Sequence, residues 1–147
     1  MNDKPTILLV DDSENDRFLM RAAFKMAKCD LLLHEVHNGE EALAYLQGDG
    51  PYADRIQYPL PTVMLLDLNM PKMNGFDVLA WVRAHPLLQH LPIIILTASI
   101  RGDDVKHSYN LGASSFLVKP SNLDTLAAMM RCLCDWIHIN HFPPLTP

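Results

Sequence analysis

Four short apolar runs, each closing on a polar residue, constrain this chain more than any other feature. Ile7-Leu8-Leu9-Val10 ends in Asp11-Asp12, and Val63-Met64-Leu65-Leu66 ends in Asp67. Ile93-Ile94-Ile95-Leu96 ends in Thr97, and Phe116-Leu117-Val118 ends in Lys119-Pro120. A short apolar run without alternation reads as a strand buried on both faces, the pattern of a parallel sheet. Parallel strands bring their C-terminal ends to one edge, and in an open α/β sheet that edge is where ligands bind. The pattern therefore predicts three carboxylates, a hydroxyl and an ammonium gathered in one place.

Helical patterns separate the strands. The first strand covers about 6–10, and Ser13 is an N-cap ahead of a helix running to about Lys28. A second strand spans Leu31 to Val36; Asn38 caps a helix carrying Leu43 and Leu46 on one face, and Gly48 ends it. The segment 48–61 (GDGPYADRIQYPLP) reads as a long loop. A strand at about 62–66 precedes a helix opened by Asn74-Gly75, and Pro92 leads into the fourth strand. A helix near 102–110 ends at Gly112, and the fifth strand covers about 114–118. Ser121, with Asp124 at capping-box spacing, is expected to start a last helix reaching about Ile139, before Phe142-Pro143-Pro144 stops it.

Five such units with right-handed crossovers make an α/β fold, a doubly wound five-stranded parallel sheet with helices on both faces. Periodicity does not fix the strand order. The flavodoxin-like order 2-1-3-4-5 fits, because it seats the first and third strands side by side at the switch point, with Asp11, Asp12 and Asp67 as neighbours. Residues 1–147 read as a single domain: a core of about 5–138, the long loop 48–61 and a short C-terminal tail, 140–147.

Composition removes several classes. The net charge of −5 argues against a nucleic-acid surface. No apolar stretch approaches the ~20 residues of a membrane span, and the N-terminus lacks a signal-peptide pattern. A cytoplasmic protein is the expectation. Cys29, Cys132 and Cys134 do not suggest a disulfide framework, and all three are expected to be small packed thiols. No GxGxxG or Walker pattern supports a flavodoxin-like nucleotide binder or hydrolase.

Asp11-Asp12, LLDLNMPKMNGFD at 65–77, ILTAS at 95–99 and FLVKP at 116–120 occur in order, each at a strand end. Together they resemble the receiver domain of two-component response regulators, over about 5–138. The 48–61 loop, the NMPKMNG wording and the extra C-terminal turn are further similar to the small stand-alone regulators paired with phytochromes.

The resemblance implies a phosphorelay response regulator, with residue roles as follows. Asp67 would accept a phosphoryl group from a sensor histidine kinase. Asp11, Asp12 and Asp67 would hold Mg²⁺, with the backbone carbonyl of Asn69 as a further ligand. Lys119 would pair with a phosphate oxygen, aimed by a cis peptide to Pro120. Thr97 and the amide of Ala98 would hydrogen-bond the phosphoryl group. Phe116 would be the aromatic switch that turns inward as Thr97 moves, changing the surface of the fourth helix, fifth strand and fifth helix. Asn69 and Ser99 occupy positions that tune phosphoryl loss to water. The protein would be a signalling phosphoacceptor that promotes its own phosphorylation and dephosphorylation, not an enzyme. A constitutive, non-phosphorylated scaffold is the alternative, disfavoured by the intact acids, Thr97 and Lys119.

With no DNA-binding module after the receiver, output would pass through protein contact with a downstream target. On the last helix, Leu126, Met130, Leu133 and Ile137 lie on the core stripe, while Met129, Cys132, Trp136 and Ile139 form a second apolar stripe. Met129, Trp136 and Ile139, with Phe142, are expected to face a second copy or a partner, unless the tail or the 48–61 loop folds over them.

Overall fold

The computed structural model describes residues 4–98 and 100–145. Five strands, β1 (Thr6–Val10), β2 (Leu32–Val36), β3 (Val63–Leu66), β4 (Ile93–Thr97) and β5 (Ser115–Val118), alternate with five helices. These are α1 (Glu14–Met26), α2 (Gly39–Gln47), α3 (Gly75–Ala84), α4 (Asp104–Asn110) and α5 (Leu123–Ile139). All strand pairs are parallel, in the order 2-1-3-4-5.

The uninterrupted apolar runs have a direct cause. Ile7, Leu9, Val63, Leu65, Ile94 and Leu96 pack under α1 and α5. Leu8, Val10, Met64, Leu66, Ile93 and Ile95 pack under α2 and α3. Both faces of each central strand are dry, so no position is free to be polar until the strand ends.

Helix starts are fixed by side chains that accept otherwise unpaired amides. Ser13 accepts from Asp16, Asn38 from Glu41, and Asn74 forms a reciprocal capping box with Asp77. At α5 the structure corrects the expectation: the cap is Asn122, accepting from Thr125, and not Ser121. Ser121 and Asn122 are adjacent and both competent caps; the helix begins at Leu123, so the extended Asn122 holds the N-cap position and its side chain meets the N3 amide. The 48–61 segment is tied down rather than loose. Arg55 donates to the carbonyls of Tyr45 and Leu46 at the end of α2, each at 2.8 Å, and Tyr45 donates to the carbonyl of Pro59.

The cysteines also depart from expectation. Cys29, just after α1, is disulfide-bonded to Cys134 of α5, and only Cys132 is free. The bond joins positions 105 residues apart, brought together because α1 and α5 pack side by side over one sheet face. Arg131 and His138 reinforce this seam, reaching the carbonyls of Ala27 and Asp30.

The second apolar stripe of α5 is partly covered. Trp136 meets Phe142 of the tail edge to face, ring centroids 5.5 Å apart. Ile139 stays 78% exposed. Met129, Cys132 and Trp136 line a groove of about 460 Å³ against Leu117 and Ser115 of the edge strand β5.

Candidate functional site

Strand register assembles the site. Val10 pairs with Leu66, so Asp11 and Asp67 leave adjacent strands at the same level. Leu66 pairs with Ile95, and Thr97 with Val118, which places Thr97 and Lys119 at the same edge one step along. The backbone continues to bond past the strands: the Asp67 amide donates to the Val10 carbonyl and the Lys119 amide to the Thr97 carbonyl.

Carboxylate oxygens of Asp11, Asp12 and Asp67 lie within 4.8 Å of one another. Asp11 and Asp67 are buried and Asp12 is exposed. Three acids this close, two of them dry, form an oxygen-donor set that suits a hard divalent cation and is electrostatically costly without one. The Asp67 carboxyl shows the cost, pushed up to about 6 from 3.8. Burial is the main cause; Asp11 and Asp12 add to it, while Lys119 and the Asn69 amide oppose it.

Lys119 lies across the mouth. Its ammonium donates to Asp11 at 2.6 Å and Asp16 at 2.9 Å, and stands 3.9 Å from Asp67. Burial alone would lower the Lys119 pKa, but hydrogen bonds and charge from Asp11, Asp67 and Asp16 outweigh it and hold the group protonated, above its ordinary value. No peptide bond among the described residues is cis, so the expected cis Lys119-Pro120 bond is corrected to trans. The lysine reaches the acids from this conformation because they surround it on two strand ends and one helix turn.

Thr97 is fully buried, and its hydroxyl accepts from the Asn69 side-chain amide at 3.1 Å. Ala98 is exposed beside it. Phe116 is half-buried and pairs with Ile95 in register, on the α2–α3 side of the sheet. Ser99 lies outside the described residues. Met129, Trp136 and Ile139 are on α5, apart from the acidic edge. One participant, Asp16, is not among the expected site residues, and Asn69, expected there, also bonds Thr97 through its side-chain amide. The signal for Asp16 is its place in the first turn after Asp11-Asp12, which faces the same edge.

The family profile of the response regulator receiver domain matches residues 7–131. The chain belongs to this family. As a receiver it is a response regulator of phosphorylation-based signalling. It is 38% identical over 130 residues to the response regulator Rcp1 of Synechocystis sp. strain PCC 6803, covering 88% of this chain and 86% of Rcp1. The Mn²⁺-bound structure of Rcp1 superposes with a TM-score of 0.82 at 36% identity, covering 95% of this receiver and 99% of Rcp1. The phosphorylated cyanobacterial phytochrome response regulator RcpA matches with a TM-score of 0.85 at 33% identity, over 95% of this receiver and 99% of RcpA.

Proposed function

We propose that the receiver accepts a phosphoryl group on Asp67 from the phosphohistidine of a sensor kinase and switches a protein-interaction surface in response. The observation that carries this reading is the triad Asp11, Asp12 and Asp67 facing Lys119 at one sheet edge. An Asp67 oxygen attacks phosphorus, the P–N bond of the donor breaks as the P–O bond forms, and the imidazole leaves with the electron pair. Burial raises the Asp67 pKa to about 6 in the metal-free site, and a bound divalent cation would favour the ionised form that attacks. Lys119 pairs with a phosphoryl oxygen, and Thr97 donates its hydroxyl hydrogen to another, with the Ala98 amide beside it. Such transfers need alignment and charge neutralisation more than covalent help from the protein. The same site promotes phosphoryl loss to water, with Asn69 at its rim.

Asp11, Asp12, Asp67 and the Asn69 carbonyl would hold Mg²⁺. When bound, the ion neutralises the acids and the incoming phosphoryl oxygens. The Mn²⁺-bound form of Rcp1 supports a divalent cation here.

Phe116, which pairs with Ile95 two residues before Thr97 on the neighbouring strand, relays the change to the α4–β5–α5 surface. The resemblance to RcpA supports a phytochrome-type kinase as the donor. A cytoplasmic location accords with kinase chemistry and with the lack of any helix, among the described residues, long and apolar enough to cross a membrane. There the Cys29–Cys134 bond would face reducing conditions, under which structural disulfides are rare.

Incubation with Mg²⁺ and acetyl phosphate followed by intact-mass measurement tests the core of the proposal. Wild type is expected to gain one phosphoryl group and Asp67→Asn none. No gain in wild type, or equal gain in both, refutes it.

Met129, Trp136 and Ile139 offer a face for a second copy, since Phe142 covers only part of it. Trp136→Glu is expected to lower the sedimentation coefficient of a wild-type dimer to that of a monomer. Identical monomeric profiles for both proteins would remove the homodimer.

A further inference from the structure

We propose that Asp16 is a positioning residue for Lys119, holding the ammonium so that one of its N–H groups stays on the Asp67 side. The inference rests on the reading of Asp67 as phosphoryl acceptor.

An ammonium has three donors. Asp11 takes one at 2.6 Å and Asp16 takes another at 2.9 Å. The Asp67 oxygen at 3.9 Å is too far for a hydrogen bond. The third donor has no hydrogen-bond partner among the described residues, and the oxygen of Asp67 is the next carboxylate oxygen from the ammonium. An oxygen attached through Asp67 extends toward that donor and needs no other contact to break.

The two acids that grip the ammonium are locked to each other. The Ser13 amide donates to the Asp11 carboxylate at 3.0 Å, and the Asp16 amide donates to the Ser13 hydroxyl at 3.2 Å. Arg17, one turn on, donates to the Asp11 carbonyl at 2.6 Å. Asp11 and Asp16 thus form a fork on one capped helix turn, and the position of Lys119 is set by α1 as well as by its own strand. Asp16 also sits where a helix start favours an acid. The lysine side chain is only 12% exposed, which limits how far water competes for it.

Asp16 also brings a fourth negative charge to a site that Mg²⁺ and Lys119 would otherwise leave near neutral. A simple charge effect and a positioning effect then have opposite signs. If Asp16 acts only as a charge, its removal helps an anion approach and lowers the apparent KM for acetyl phosphate. If it positions Lys119, its removal slows the saturated transfer.

The test measures Mg²⁺-dependent phosphoryl uptake from acetyl phosphate in wild type, Asp16→Asn, Lys119→Ala and the double variant. Each variant's thermal transition is recorded to confirm folding. Asp16→Asn is expected to lower the maximal rate about two- to fivefold, the range for one partly exposed ion pair, without raising the apparent KM. The same substitution is expected to change nothing in the Lys119→Ala background. An unchanged or faster maximal rate in Asp16→Asn, or an equal loss without Lys119, overturns the proposal. Competitive labelling of lysines with acetic anhydride supplies a readout that needs no phosphoryl transfer. Lys119 is expected to label about two- to fivefold faster in Asp16→Asn, and an unchanged rate overturns the proposal. Absence of uptake in wild type would refute the phosphoacceptor reading alone, and the labelling would still decide the role of Asp16.

Discussion

Asp67→Asn is expected to make the protein more stable near neutral pH in metal-free buffer, by about 3 kcal/mol. The Asp67 pKa is raised to about 6 in the folded protein from an ordinary 3.8, chiefly by burial and against the pull of Lys119. The folded state therefore holds this proton more tightly than the unfolded chain does. Stability from this group is fully present below the ordinary value and is lost as pH rises through the folded value. Above about pH 6 the whole cost of keeping a buried carboxylate beside two others is felt. Asparagine cannot ionise, so it escapes that cost while its side-chain oxygen still accepts from the Asn69 amide, as Asp67 does at 3.3 Å.

Urea unfolding of both proteins measures the difference directly. Near pH 4 the two are expected to be close, and the gap opens between pH 4 and 7. A gap that is constant across that range would contradict the assignment. Added Mg²⁺ is expected to reverse the order, because a ligand that binds only the folded state stabilises it in proportion to its affinity. The variant lacks one of the three carboxylates and gains less. The acidic site is thus a place where the fold gives up stability that a bound cation would restore.

How much of this the chain discloses follows from which contacts are local. The strands are legible because burial on both faces writes itself as contiguous runs, Ile7–Val10 and Val63–Leu66 being the clearest. The parallel arrangement then carries Asp11, Asp12, Asp67, Thr97 and Lys119 to one edge without any knowledge of side chains. What stays hidden depends on contacts between distant parts of the chain. Asp16 bonds a lysine 103 positions away, and no periodicity signals that pairing. Cys29 and Cys134 meet only because α1 and α5 share a sheet face, and spacing along the chain says nothing about which face a helix takes. The choice of Asn122 over Ser121 is hidden for the opposite reason. It is so local that two adjacent residues carry the same signal, and boundaries are ambiguous at that scale.

Gly75→Ala is expected to destabilise the protein by about 2–3 kcal/mol and to slow phosphoryl uptake by an order of magnitude or more. Gly75 opens α3 with an ordinary negative φ, so conformational freedom is not why a glycine stands there. Room is the reason. A Cβ at this position would lie 2.5 Å from the Asp67 carbonyl oxygen and 2.8 Å from the Leu68 Cα. Both obstacles are backbone and cannot rotate away. The Asp67 amide is bonded to β1 and the Leu68 carbonyl accepts from the Gly75 amide, so the loop is held from both sides. Alanine in a helix normally gains about 0.5–1 kcal/mol over glycine. The overlap outweighs that gain, and relief requires pushing the Asp67 backbone away from α3. Asp67 would then shift relative to Asp11 and Lys119, and misplacement on the order of 1 Å costs about 100-fold in well-aligned transfers. Gly50→Ala is the control. Its Cβ would meet nothing within 4 Å, and only its φ of +54° is unfavourable. It is expected to cost about 1–2 kcal/mol with no effect on uptake. Comparable uptake rates in the two variants would mean that the close approach of α3 to the end of β3 does not set the position of Asp67.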